Sequence, residues 1–288
     1  MNSAGTLPKL LYTDSYREQK MIPSKSPYQK LKKIMSPQQF NYHFNISIKN
    51  QYVFVEVSKA ACTTLKSNLS KLEIKDEKLP DHFESVVKRP HRPINESVFV
   101  KPYQLGQDNF DRIIRNKDFL KFAFVRDPYS RALSAYLDKF ARGKELNVMR
   151  NLRKELAEIR QISVEDEEGL LTDVSFSEFC QALALKKESF PKNLFAFDQH
   201  WRPQAAHLCC SIIKYDFIGK IENFEEDIAY VLSKIFPTNI TRDIVIEENS
   251  PHKTSSSQRV GDYYTTQERH IIEAIYAEDF ELFDYPKI

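Results

Sequence analysis

The chain predicts an α/β fold of three layers, with a mainly parallel central sheet flanked by helices, and three observations carry that expectation. Two apolar runs, YVFVEV at 52–57 and FAFV at 122–125, read as strands buried on both faces. Each run stops abruptly and gives way to a helical pattern, the alternation that builds a parallel sheet. With 6 glycines against 20 Phe and 14 Tyr in 288 residues, the chain has material for one large core and no compositional mark of a disordered or fibrous protein.

Residues 1–40 are polar, basic in stretches and interrupted by proline, so an irregular N-terminal arm is expected there, with residues 41–288 forming a single domain. A short hairpin is expected over 41–57, turning at Lys49 and Asn50. The strand at 52–57 delivers the chain into SKAACTTLKSN at 58–68, a loop that enters a helix. Backbone N–H groups at that helix start, the hydroxyls of Thr63 and Thr64 and the ammonium group of Lys59 compose a cradle for phosphate or sulfate. An ordinary turn capped by Ser58 or Thr63 is the structural alternative. The pattern G-x-x-x-x-G-K-[ST] is absent, so a nucleoside-triphosphatase lacks its central motif. Residues 79–102, with several prolines, two histidines and no periodicity, read as a functional loop near the cradle.

The second run ends at Arg126. Asp127 suits a helix N-cap and Pro128 the first helical position, which leaves Arg126 at the carboxyl end of a strand, where open α/β sheets bind ligands. Ser134 lies about two turns into the helix, with Arg131 and Asp138 at helical spacing from it. The Arg126 guanidinium and the Ser134 hydroxyl thus converge on one anion; a buried Arg131–Asp138 ion pair that ties the helix down is the alternative. Leu146, Met149, Leu152, Leu156 and Ile159 form an amphipathic stripe, read as a lid or cap inside a helical insert near 142–173. Capping boxes at Ser175/Glu178 and Thr265/Glu268 open two structural helices, and a strand at 215–221 is followed by a helix at 224–235.

With 42 basic and 40 acidic side chains, the net charge of +2 does not require a polyanion, and no nucleic-acid partner is expected. The basic clusters at 30–33 and 88–92 read as solvated surface or as a face for an acidic glycan. No run approaches the ~20 apolar residues of a membrane helix, and no apolar stretch follows a basic one at the N-terminus, so a cytoplasmic chain without a membrane span is expected. Cys209 and Cys210 are adjacent, a disulfide between them would be strained, and a reducing compartment is favoured. Seven scattered histidines show no metal-ligand spacing, and no metal is expected.

Together the two anion-binding segments resemble the Golgi-type carbohydrate sulfotransferase family, sulfotransferase family 2, which includes glucuronyl, chondroitin and dermatan sulfotransferases. Its 5′-phosphosulfate loop, K-x-A-C-T-[NT]-x-K, is matched by KAACTTLK at 59–66, and its 3′-phosphate element, R-D-P-x-x-R-x-x-S-x-[YF], by RDPYSRALSAY at 126–136. HWRPQ at 200–204 is similar to the family's H-W-x-P segment, 215–222 to its next core strand, and 276–285 to its closing helix and tail. The similarity runs from about Asn50 to the C-terminus and is weak in the insert.

The resemblance implies the P-loop-like sulfotransferase fold and a donor, 3′-phosphoadenosine-5′-phosphosulfate (PAPS). By the same resemblance Lys59, Ala61, Cys62, Thr63 and Thr64 hold its 5′ end, Arg126 and Ser134 its 3′-phosphate, and Ser257 and Arg259, from a Ser-rich stretch that also reads as a plain connector, help close the site. Cys62 is expected to be a small packed residue rather than a nucleophile. The implied reaction is in-line transfer of the sulfuryl group to an acceptor hydroxyl, a carbohydrate first, without a metal, with Lys59 neutralising charge on the leaving oxygen. A histidine base is expected: His82 first, in the loop between the two motifs, then His91 or His200, while Glu84 stays open and His200 also reads as a residue orienting Trp201. Animal members are Golgi-anchored, so the expectation is a soluble bacterial-type member, or a trimmed form from the Golgi lumen. A catalytically silent nucleotide- or glycan-binding module and a nucleotide kinase of related fold are the rival functions, the latter lacking its Walker loop here.

Overall fold

The computed structural model describes residues 25–75, 97–142, 146–236 and 255–288. Where the sequence suggests an irregular arm over 1–40, residues 25–40 instead contribute to two helices, α1 (Pro27–Ile34) and α2 (Pro37–His43). The signal was local: Ser26 and Ser36 each accept a backbone N–H three residues on, and a proline follows each, the chemistry of a helix start. Leu31 and Phe40 are buried, and this packing fixes both helices on the domain.

Strands β1 (Phe44–Ser47) and β2 (Tyr52–Val55) form the expected hairpin, shorter than its predicted span. Helix α3 (Cys62–Ile74) follows, then α4 (Pro102–Arg115), β3 (Leu120–Val125) and α5 (Pro128–Lys139). The insert holds α6 (Leu146–Met149), a 3₁₀ turn, α7 (Arg153–Arg160) and α8 (Glu167–Leu171). Both predicted capping boxes form, opening α9 (Phe176–Ser189) and, later, the helix that begins at Thr266. The short α10 (Gln204–His207) leads to β4 (Phe217–Lys220) and α11 (Phe224–Ile235). Helices α12 (Ser256–Tyr263), α13 (Thr266–Ile275) and α14 (Ala277–Leu282) complete the described chain.

Strand order is β1-β2-β3-β4, antiparallel at the first pair and parallel at the other two. The period of two distributes β2 and β3 side chains between two cores. Tyr52, Phe54, Phe122 and Phe124 pack with Leu65 and Leu69 of α3 and with Ile228, Val231 and Leu232 of α11. Val53, Val55, Ala123 and Val125 face the other way, against Phe110 of α4, Leu133 of α5 and the helices beyond. Both faces are covered, which explains why neither strand alternates in polarity. Gly219 of β4 makes room for a ring: a Cβ there would lie 2.6 Å from Phe124.

Met149, Leu152 and Leu156 of the insert are fully buried and Ile159 packs against the same core, whereas Leu146 is exposed, so the apolar stripe engages the core at all but its first position. Among the described residues no helix is long and apolar enough to cross a membrane. All four cysteines are free thiols.

Candidate active site

Because β2 and β3 are parallel neighbours, their carboxyl ends open onto the same edge of the sheet. After β2 the backbone turns through Lys59 (φ 68°) and Ala61 (φ 53°), both in the left-handed region that side chains with a Cβ seldom adopt. Ala61 leads into α3 without a side-chain cap, so the ordinary capped turn is not what forms, and the positive end of the helix dipole lies beside the loop. Thr64 is buried, while Cys62 and Thr63 are half-buried. Burial, with Glu56 nearby, pushes the Cys62 thiol up, which suits a packed thiol rather than a nucleophile.

The Lys59 ammonium donates to Asp138 Oδ2 at 3.0 Å. Lys139 and Arg142 lie 3.2 and 3.6 Å from the same carboxylate. Burial alone would raise Asp138, but Lys59 and Lys139 outweigh it and hold the carboxyl at about 2. Lys59 itself is drawn below its ordinary value by burial, with Asp138 opposing. The predicted Arg131–Asp138 alternative is therefore replaced: Asp138 takes Lys59, from a distant loop, and Arg131 turns elsewhere. Its guanidinium, 1% exposed, donates to the carbonyls of Ser58 (3.0 Å), Arg202 (2.9 Å) and Gln199 (3.2 Å). One buried cation thereby stitches the loop after β2 to the HWRPQ segment.

Arg126 follows β3 as expected, and Asp127 caps α5 by accepting from Ser130 N at 2.8 Å. The Arg126 guanidinium donates to Ser130 Oγ (3.2 Å), Ser256 Oγ (2.8 Å), Ser257 Oγ (3.0 Å) and the Lys59 carbonyl (3.4 Å). All four acceptors are neutral. Burial lowers its pKa, with Glu222 and Asp127 opposing, and an arginine stays protonated regardless. Glu222 instead accepts from Asp127 N at 2.9 Å and from the Tyr285 hydroxyl at 2.9 Å. Ser134 is buried on α5 one turn beyond Ser130. Two cations, Lys59 and Arg126, thus stand at adjacent strand ends, joined through the Lys59 carbonyl.

The family model described as Sulfotransferase family matches residues 42–286. The chain belongs to that family. It is 28% identical over 262 residues to carbohydrate sulfotransferase 14 of Danio rerio, covering 85% of this chain and 62% of that protein. Carbohydrate sulfotransferase 11 of Mus musculus is 26% identical over 265 residues, covering 88% and 70%. Carbohydrate sulfotransferase 12 of Xenopus laevis reaches 33% over 185 residues, covering 60% and 42%. No solved structure matches.

In this sulfotransferase-family chain the serines that open α12 are more specific than the sequence suggested. Ser257, expected only to help close the site, accepts from Arg126, and so does Ser256, which is fully buried and was not singled out. Arg259, expected with Ser257 to help close the site, donates to the Tyr263 hydroxyl at 2.7 Å and lies over that ring. Gln204, also missed, bonds the backbone of Arg126. The only advance signals were a serine run and a glutamine following H-W-R-P.

His200 contacts Asp198 Oδ1 through Nδ1 at 2.6 Å and through its backbone N–H at 2.9 Å. It adjoins Gln199, whose carbonyl is held by Arg131, so the histidine is tied to the Ser58 end of the cradle. Trp201 is fully buried, with its indole N–H on Asn151 Oδ1 at 3.1 Å. His82, Glu84, His91 and the basic cluster at 88–92 lie outside the described residues. Lys32 and Lys33 of the other basic cluster are exposed on α1.

Proposed function

We propose that this chain is a PAPS-dependent O-sulfotransferase that acts on a carbohydrate hydroxyl, with residues 41–288 as its sulfotransferase domain. The observation that carries the reading is Arg126: a guanidinium at a strand end, held by neutral oxygens and one loop away from Lys59. PAPS is anionic at both ends of its nucleoside and matches that pair of cations. The named relatives are carbohydrate sulfotransferases, which supports a glycan acceptor.

Lys59, Thr63, Thr64 and the N–H groups of Ala61 and Cys62 hold the 5′ side; Arg126, Ser134, Ser256 and Ser257 hold the 3′-phosphate. When bound, the donor supplies the sulfuryl group, and 3′-phosphoadenosine-5′-phosphate (PAP) leaves. The acceptor oxygen forms the new O–S bond while the S–O bond to the 5′-phosphate breaks, and the acceptor proton passes to a histidine. Lys59 neutralises charge growing on the leaving oxygen, and Asp138 keeps the ammonium group aimed.

His82 is our first choice of base, with His91 and His200 as alternatives. His200 is an alternative because the Asp198 carboxylate accepts from Nδ1, so in the neutral ring Nε2 is the nitrogen with a free lone pair. We expect His82→Ala to lower kcat by roughly 10²–10⁴-fold with PAP affinity preserved, and His200→Ala to retain most turnover. Initial rates for the two variants decide it: retained turnover in His82→Ala with loss in His200→Ala moves the base to His200.

The primary test is thermal unfolding with PAP, 5′-AMP and magnesium-ATP, followed by sulfate transfer from PAPS to a panel of glycans. PAP at about a hundredfold over its dissociation constant should stabilise the protein by about 2.7 kcal/mol, more than either comparator. PAP binding without transfer to any glycan would indicate a silent binding module; preference for ATP would sink the donor assignment.

A further inference from the structure

Arg126 is the first residue beyond the β3 ladder, so its backbone N–H and carbonyl lie past the last strand pairing, Val125 with Lys220. A side chain replaces the missing strand. Gln204 Oε1 accepts from Arg126 N at 2.9 Å, and Gln204 Nε2 donates to Arg126 O at 2.8 Å. Gln204 is fully buried. A primary amide accepts and donates from two neighbouring atoms; an ionised carboxylate accepts alone, and an aliphatic chain does neither. Asparagine falls one methylene short.

The clamp is itself anchored. Asp279 of α14, fully buried, accepts from Gln204 N and Ala205 N, each at 2.7 Å. Three distant segments are thereby joined in series: the closing helix fixes the start of α10, the start of α10 fixes the Gln204 amide, and the amide fixes the residue whose guanidinium emerges between Ser130, Ser256 and Ser257. A guanidinium selects a phosphate by the direction of its N–H fork, so the orientation of its backbone bears on affinity.

We infer that Gln204 is a positioning residue for recognition of the 3′-phosphate, acting through the backbone of Arg126 and held in place by Asp279. This inference rests on the donor reading above. It confines the role of Gln204 to one ligand group: discrimination between PAP and 5′-AMP, which differ only in the 3′-phosphate, depends on the clamp, whereas affinity for the shared 5′-nucleotide does not.

The test is calorimetric titration of the full chain and of Gln204→Glu with PAP and with 5′-AMP. The glutamate preserves size and, measured at a pH where its carboxyl is ionised, still accepts from Arg126 N but sets a second oxygen against Arg126 O. The ratio of the two dissociation constants should fall about tenfold or more, because PAP binding weakens while 5′-AMP binding is retained. Asp279→Asn provides the second variant should Gln204→Glu fail to fold; it keeps one acceptor and should lower the same ratio by a smaller factor. An unchanged ratio in either folded variant, or equal losses for the two ligands as a merely structural role would give, overturns the inference. If the unaltered protein itself shows no preference for PAP, the donor reading falls and this inference falls with it; a clear preference that survives Gln204→Glu removes the inference alone.

Discussion

Replacing Arg126 with alanine should weaken PAP binding by about 10- to 150-fold while leaving the fold intact. A hydrogen bond to a charged group is worth roughly 1.5–3 kcal/mol, and each 1.4 kcal/mol is a factor of ten. The guanidinium is partly exposed, and among the described residues the groups it would abandon are hydroxyls of Ser130, Ser256 and Ser257 and one carbonyl, so no described carboxylate bonded to it is left buried without its cation. The backbone clamp from Gln204 is untouched by the substitution. Arg126→Lys retains the charge but not the fork that spans Ser130 on one side and Ser256 and Ser257 on the other, and should recover only part of the loss. Equilibrium titration with PAP gives the answer, and unaltered affinity in Arg126→Ala would remove Arg126 from the 3′-phosphate site.

What the sequence revealed about this site and what it withheld divide along sequence distance. The strand that ends at Val125, the Asp127 cap and the Pro128 start are local, each decided by neighbours within a few residues, and they placed Arg126 correctly. The same logic applied to Ser26-Pro27 and Ser36-Pro37 would have found α1 and α2; the surrounding polar and basic composition concealed those signals. Partner choice is another matter. Arg131 and Asp138 do have helical spacing, but Asp138 binds a lysine 79 positions earlier. Gln204 reaches Arg126 across 78 positions and Ser256 across 130. No periodicity encodes such contacts, because they arise only after the sheet has brought the two strand ends together and α10 and α12 have packed against them.

Lys59 should behave differently from Arg126, and that contrast probes the mechanism more directly than either substitution alone. Lys59→Met should reduce kcat by about 10²–10³-fold, the usual consequence of deleting one preorganised group that meets charge developing in the transition state. Affinity for PAP should fall far less, since an interaction that strengthens as the S–O bond breaks contributes little to the ground state. The fold should tolerate the change: methionine preserves most of the aliphatic stem, and Asp138 retains the ammonium of Lys139 at 3.2 Å and the guanidinium of Arg142 at 3.6 Å. Asp138 would therefore keep cationic partners even without its closest one. Single-turnover rates with PAPS, measured beside PAP titrations, separate the two effects. A Lys59→Met protein that turns over normally would exclude Lys59 from charge neutralisation at the leaving oxygen, whereas equal losses in binding and rate would make it a ground-state contact like Arg126.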